Sequence, residues 1–282
     1  MRRSLALVIL LAIGLPLVFP DLVSRLAPAM LYYPAGLSEV EADPGAWGLA
    51  GAEQAALRTA DGLELHAWWV PADPMQGTET CGAVTFFHGN AGNLAGRAPI
   101  AQALSRLGFD VLLIDYRGYG RSEGKPNETG LYLDGEAAYS YLREERRVPA
   151  RRVVLAGNSL GGAVAVSVAS RVEAGALVVT SSFRSLPELA GSLYSWLPGR
   201  LFDWERNRFD SAARIGSVDM PVFVGWGQRD ELMPRAQTFG LYDAAAEPKT
   251  WFESETAGHN DLWSETAFWL ALKEFLEATL PC

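Results

Sequence analysis

Val153-Val154-Leu155-Ala156-Gly157-Asn158-Ser159-Leu160-Gly161-Gly162-Ala163-Val164-Ala165 passes from a short apolar run, through a serine flanked by glycines, into a run of small residues. The apolar run has the length of a buried strand and Gly162 to Ala165 suit the opening of a helix, so the stretch reads strand, turn, helix. A serine at such a turn needs glycine two positions either side, because its backbone is strained and the strand and helix approach closely. Its hydroxyl then projects alone past the strand end, where a nucleophile has to be. The same pattern recurs at Gly120-Arg121-Ser122-Glu123-Gly124 in a different context. Arg117-Gly118-Tyr119 separates Ser122 from its strand, and Pro126 disfavours helix at Lys125, so this copy reads as a loop. Ser159 is therefore the expected nucleophile.

Around this stretch, short apolar runs alternate with helix-length segments. Glu53 to Thr59 and Leu63 to Val70 flank Asp61-Gly62, which reads as a two-residue hairpin connection and an antiparallel start. The runs Ala83 to Phe87, Val111 to Ile114, Val153 to Ala156, Ala176 to Thr180, Val222 to Trp226 and Thr250 to Phe252 follow. Between them, Leu94 to Leu107, Thr129 to Glu145, Leu160 to Arg171, Arg235 to Ala246 and, at the end, Asp261 to Ala278 read as helices. This spacing predicts an α/β fold with a mostly parallel eight-stranded sheet and helices on both faces. Ligand chemistry in such sheets gathers beyond the carboxyl ends of the strands. Residues 181–215 interrupt the alternation with large apolar side chains. They read either as an ordinary helix plus connection or as a short cap whose Phe183, Leu186, Tyr194 and Trp196 line an acyl pocket.

A serine hydroxyl needs an adjacent base, oriented in turn by a third group. There are three histidines. His66 lies in the antiparallel start, and His88, in Phe87-His88-Gly89-Asn90, is placed to shape a loop. His259, in Ala257-Gly258-His259-Asn260, falls after the last strand and before the last helix, beyond the sheet's carboxyl edge, and is the expected base. Asp230 follows the strand Val222 to Trp226, which gives the order serine, aspartate, histidine. Glu231 is the neighbouring alternative. Asp219 precedes that strand and sits at its wrong end, while Asp261 is close enough to the last helix to cap it. The oxyanion donors expected are the backbone N–H groups of Leu160, after the nucleophile, and Asn90, after the third strand.

Composition narrows the field further. In 282 residues, hydrophobic side chains make up 49% and charged ones 20%, as in a folding globular chain, and the formal net charge is -9. That charge opposes binding to phosphate backbones, so nucleic acid is not an expected partner. Three histidines without an HExxH or paired CxxC pattern give a zinc site little to be built from, and neither metal nor cofactor is expected. At the N-terminus, Arg2 and Arg3 precede an apolar run from Leu5 to Phe19, which reads as a signal-anchor or signal segment within residues 1–30. Ala27-Pro28-Ala29 offers a small-x-small cleavage pattern. A buried N-terminal helix is the plainer alternative, weakened by Pro16 and the charged start. Either targeting reading places residues 31–282 across the membrane, anchored or secreted, because the arginines hold the amino end in the cytoplasm. Cys81 and Cys282, the two cysteines, are both expected at the sheet edge opposite the active site, placed to pair if the body is exported.

Phe87-His88-Gly89-Asn90, Asp115-Tyr116-Arg117-Gly118-Tyr119-Gly120-Arg121-Ser122, the Ser159 elbow, Gly227 to Pro234 and Gly258-His259-Asn260 together resemble the α/β-hydrolase superfamily, from about Glu53 to the end. More narrowly, the N-terminal apolar segment, Leu31-Tyr32-Tyr33-Pro34, Gly-Asn-Ser-Leu-Gly-Gly and the short cap resemble the bud-emergence-homologue group of membrane-anchored hydrolases, relatives of lysophospholipid lipases and protein depalmitoylases. The resemblance implies a structural role for Asp115 to Ser122 and hydrolysis of an ester or thioester, lipid-like substrates included. An aminopeptidase-like amidase, an acyltransferase and a catalytically silent membrane-tethered binding module are the alternatives. The fold alone does not name a substrate.

Overall fold

In the computed structural model, which describes residues 31–39, 41–73, 80–193 and 207–280, the strand leading to Ser159 lies inside an eight-stranded sheet. The strands are β1 (Glu53–Arg58), β2 (Glu64–Val70), β3 (Gly82–Phe87), β4 (Phe109–Ile114), β5 (Val153–Asn158), β6 (Ala176–Thr180), β7 (Val222–Gly227) and β8 (Lys249–Ser254). Their spatial order is β8-β7-β6-β5-β3-β4-β2-β1. β2 runs antiparallel to both β1 and β4, and the remaining pairs are parallel. The centre is apolar on both faces because crossover helices cover both. α1 (Ala98–Arg106) and α7 (Thr266–Thr279) pack on one face, while α2 (Glu128–Ser140), α3 (Leu160–Ala169) and α6 (Arg235–Ala244) cover the other. α4 (Leu186–Leu193) and the short α5 (Ala212–Ile215) lie within the expected cap.

Several boundaries differ from the sequence expectation. The hairpin loop has three residues, Ala60 to Gly62, closed by Thr59 N–H donating to the Leu63 carbonyl at 3.0 Å, with Gly62 at φ 92. A type I turn followed by a left-handed residue fits such a loop, and glycine supplies that conformation. The segment expected as one helix from Leu94 begins as a 3-10 turn, Leu94–Arg97, and becomes α-helical at Ala98, with Pro99 in the first turn. The last helix begins at Thr266, because Glu265 is extended after the 3-10 turn Leu262–Ser264. A parallel pairing of Tyr33–Pro34 with Ala91–Gly92 was not anticipated, since two residues carry no periodicity. Residues 1–30, Tyr194, Trp196 and Cys282 lie outside the described residues. Cys81, buried just before β3, is disulfide-bonded.

Candidate active site

β5 ends at Asn158 and α3 starts at Leu160, so Ser159 alone makes the turn, at φ 55 and ψ -119. A non-glycine residue in this region is strained and persists only where its surroundings hold it. Here the Ser159 N–H donates to the Thr180 carbonyl at 2.9 Å, and the Ser159 carbonyl accepts from Ser182 Oγ at 2.8 Å. The flanking glycines are required by contact. A Cβ on Gly157 would lie 2.1 Å from the Gly161 carbonyl oxygen, and one on Gly161 would lie 1.9 Å from that of Phe87. This second approach brings the elbow against the end of β3, so that a Cβ on Gly89 would stand 3.6 Å from Ser159 Cβ.

His259 Nδ1 lies 3.0 and 2.9 Å from the two oxygens of Asp230. A carboxylate can only accept, so Nδ1 is the donor, and in the neutral ring Nε2 keeps its lone pair. The Asp230 carboxylate is fully buried, and its Oδ1 also accepts from the N–H groups of Leu232 (3.0 Å) and Met233 (2.7 Å), which fix its orientation. The two loops are laced together by the Arg229 N–H donating to the Ala257 carbonyl at 2.9 Å. Gly227 permits this approach, since a Cβ there would meet the Ala257 oxygen at 2.3 Å. Glu231 is exposed and holds no bond to His259; Asp261 does not cap α7 but accepts the Gly258 N–H, bracing the histidine loop. Among the described residues no hydrogen bond joins Ser159 to His259, and unliganded sites often leave that contact open.

The loop after β3 is held peptide by peptide. His88 Nδ1 donates to the Gly89 carbonyl at 2.7 Å. In a trans peptide the N–H points opposite the carbonyl, so the Asn90 N–H is turned away from the buried imidazole. The next carbonyl, that of Asn90, accepts from the Tyr33 N–H at 2.9 Å and Tyr119 Oη at 2.8 Å, and Asn90 Nδ2 donates to the Leu31 carbonyl at 3.1 Å. Neither the Asn90 nor the Leu160 N–H donates to a protein group among the described residues.

Ser122 belongs to a different network. Its hydroxyl donates to the Asp115 carbonyl at 2.7 Å and accepts the His66 N–H at 2.9 Å. His66 Nδ1 is 3.3 Å from the buried Asp115 carboxylate and Nε2 is 3.3 Å from Gln54. These contacts join the loop after β4 to β2 and, through Gln54, to β1, so the second Gly-x-Ser-x-Gly is a structural fastening. In the expected cap, Phe183 is buried edge-on to Phe209 and Leu186 is buried beside the core. The hollow of about 620 Å³ lined by Pro221, Lys249, Thr250 and Phe275 opens at the amino ends of β7 and β8, away from Ser159. Sequence reasoning missed Thr180, Ser182, Tyr33 and Tyr119 as supports. Tyr33 and Tyr119 stood in motifs already singled out, whereas Thr180 and Ser182 carry no signal beyond lying at and just past the end of β6.

Residues 82–207 match the family model described as alpha/beta hydrolase fold. An uncharacterised protein of Mycobacterium tuberculosis is 41% identical over 211 residues, covering 73% of this chain and 71% of its own. The alpha/beta hydrolase domain-containing protein WAV2 of Arabidopsis thaliana is 31% identical over 244 residues, 80% and 78% of the two chains. Protein bem46 of Schizosaccharomyces pombe is 29% identical over 229 residues, 79% and 76%. Among solved structures, the Pyrococcus furiosus esterase Pf2001 superposes with a TM-score of 0.71 at 20% identity, over 89% of this chain and 98% of that one. The chain belongs to the α/β-hydrolase family.

Proposed function

We propose that this protein is a serine hydrolase that cleaves carboxylic ester or thioester bonds through an acyl-serine intermediate on Ser159. The observation that carries the reading is the Asp230–His259 pair: a buried carboxylate fixes the tautomer that leaves Nε2 free to accept a proton. With substrate bound, His259 takes the Ser159 proton as the oxygen attacks the acyl carbonyl, and the Asn90 and Leu160 N–H groups receive the developing oxyanion. His259 returns the proton to the leaving alcohol or thiol. Water then attacks the acyl-serine with the same base, restoring Ser159 and releasing the acid. Every proton moves through one imidazole, and the cycle calls on no cofactor. The esterases among the structural neighbours agree with this chemistry without specifying a substrate.

The N-terminal segment supports a second part of the reading, that the body is exported and remains membrane-anchored, with secretion after cleavage as the alternative. The disulfide at Cys81 suits an oxidising compartment. An enzyme so placed would meet lipid-like acyl esters, the substrate class proposed here. The kinetic test uses short- and long-chain p-nitrophenyl esters. Ser159→Ala should lower kcat by about three decades or more, leaving residual catalysis from the oxyanion hole and binding. Ser122→Ala should keep the chemistry, losing at most the stability of its two bonds. Equal losses from both substitutions would sink the assignment.

A further inference from the structure

The segment immediately after the N-terminal apolar stretch runs directly over the proposed oxyanion loop. Leu31 and Tyr33 take up the Asn90 side-chain amide and the Asn90 carbonyl, Tyr33–Pro34 pair in parallel with Ala91–Gly92, and the Ala35 N–H donates to the Gly92 carbonyl at 3.0 Å. The segment is fastened on its other side as well. Tyr32 is buried with its hydroxyl donating to Asn207 Oδ1 at 2.7 Å, and the Gly120 N–H donates to the Ala35 carbonyl at 3.0 Å, while on the oxyanion-loop side Asn93 Nδ2 also donates to the Gly36 carbonyl at 3.1 Å. Both peptides flanking the Asn90 Cα are thereby fixed, the first by His88 from within and the second from outside by Tyr33 and Tyr119.

We propose that Leu31–Ala35 is a positioning strap that holds the Asn90 N–H in its oxyanion-binding orientation. The inference rests on the proposed esterase chemistry and goes beyond it. These residues touch no reacting atom, but they set the direction of one that does. The reason for a strap is geometric. An oxyanion donor acts only if it is already aimed where charge develops, and a loop free to rotate its peptides must pay for that aim during the reaction. Without the strap, the Asn90 carbonyl keeps Tyr119 as its one partner and its side-chain amide loses its acceptor. The strap also makes the oxyanion loop the first part of the catalytic edge that the chain reaches after residues 1–30, so the N-terminal segment and the site are joined through five residues.

The test compares Tyr33→Pro with Tyr33→Ala in the full-length protein, because both lose the exposed ring and only proline loses the N–H. Tyr119→Phe removes the other bond to the Asn90 carbonyl and Asn90→Ala removes the side-chain bond to Leu31, and these milder changes decide the matter if Tyr33→Pro does not fold. Hydrolysis of a p-nitrophenyl ester and inhibition by a trifluoromethyl ketone, whose adduct with serine carries an oxyanion, are the readouts. The expected result is a kcat about tenfold lower in Tyr33→Pro than in Tyr33→Ala, with KM changed by less than about twofold and ketone affinity falling by the same factor as kcat/KM. Asn90→Ala and Tyr119→Phe should show the same split to a smaller degree. If Tyr33→Pro matches Tyr33→Ala, or if losses appear in KM and thermal stability without a matching loss of ketone affinity, the strap is only structural and the proposal fails. A folded wild-type protein that neither hydrolyses esters nor binds the ketone would instead overturn the proposed function.

Discussion

Burial pushes the His88 imidazole down to about 4, against the upward pull of Asp115 and with a further downward push from Arg97. The ring that fixes the Gly89 peptide is therefore neutral at ordinary pH. A histidine whose folded pKa lies below its unfolded value of 6.5 stabilises the fold above that value, and the contribution is lost as pH falls toward 4. Between pH 7 and pH 5 the loss is about 2 kcal/mol. Asp134 has the opposite sign: burial pushes it up to about 6 despite its bonds to Arg117, so protonation on the way down relieves the fold. Replacing His88 removes the His88 share and leaves that of Asp134, so the denaturant midpoint of His88→Asn should rise relative to that of wild type as pH is lowered from 7 to 5. A variant midpoint that falls more steeply than wild type would contradict the sign. The sequence showed that His88 shapes a loop, but not which atom it holds, because one hydrogen bond to the next residue's carbonyl leaves no periodic or compositional trace. Ser122 teaches the converse: it shares the Gly-x-Ser-x-Gly pattern with Ser159, and only its distance from the strand and the following Pro126 betray a hydroxyl occupied by Asp115 and His66.

The elbow works as an element because β5, α3 and the end of β3 converge within contact distance at glycines. Gly161→Ala should force its methyl into the Phe87 carbonyl, 1.9 Å away, and into that of His88 at 2.6 Å. Since both obstacles are backbone, the cost should be about 3 kcal/mol or more. Gly96→Ala, in a 3-10 turn with nothing within 4 Å, should be neutral or stabilising by up to about 1 kcal/mol. Urea denaturation of the two variants checks the contrast, and equal midpoints would remove the packing argument. The inner strands β3 to β7 were legible because each is a short, almost wholly buried apolar run, and their order along the chain implied the crossovers. The three-residue hairpin loop and the Tyr33–Pro34 pairing were not, since both depend on backbone registers that side-chain character does not encode.

At the scale of the whole molecule, the loops after β3, β5, β7 and β8 bring Asn90, Ser159, Asp230 and His259 to one edge of the sheet, although they are spread across most of the chain. The order of those residues was readable, because each follows an apolar run that ends where a ligand-binding edge is expected. The spacing of His259 from Ser159 was not, as it depends on loop conformation. The same edge receives Leu31, the first described residue after the apolar N-terminal stretch. On the proposed anchoring, full-length protein should sediment with membranes and need detergent for release, whereas a chain starting at Leu31 should stay in solution. Recovery of the full-length protein in the soluble cytosolic fraction would contradict anchoring. The central claim is that Ser159 is activated by His259, and the most direct measurement is the mass of the intact protein and its peptides after reaction with a fluorophosphonate. One adduct is expected, on the peptide containing Ser159, retained in Ser122→Ala, absent in Ser159→Ala and strongly slowed in His259→Ala. An adduct on Ser122, or none on a folded wild-type protein, would contradict the account.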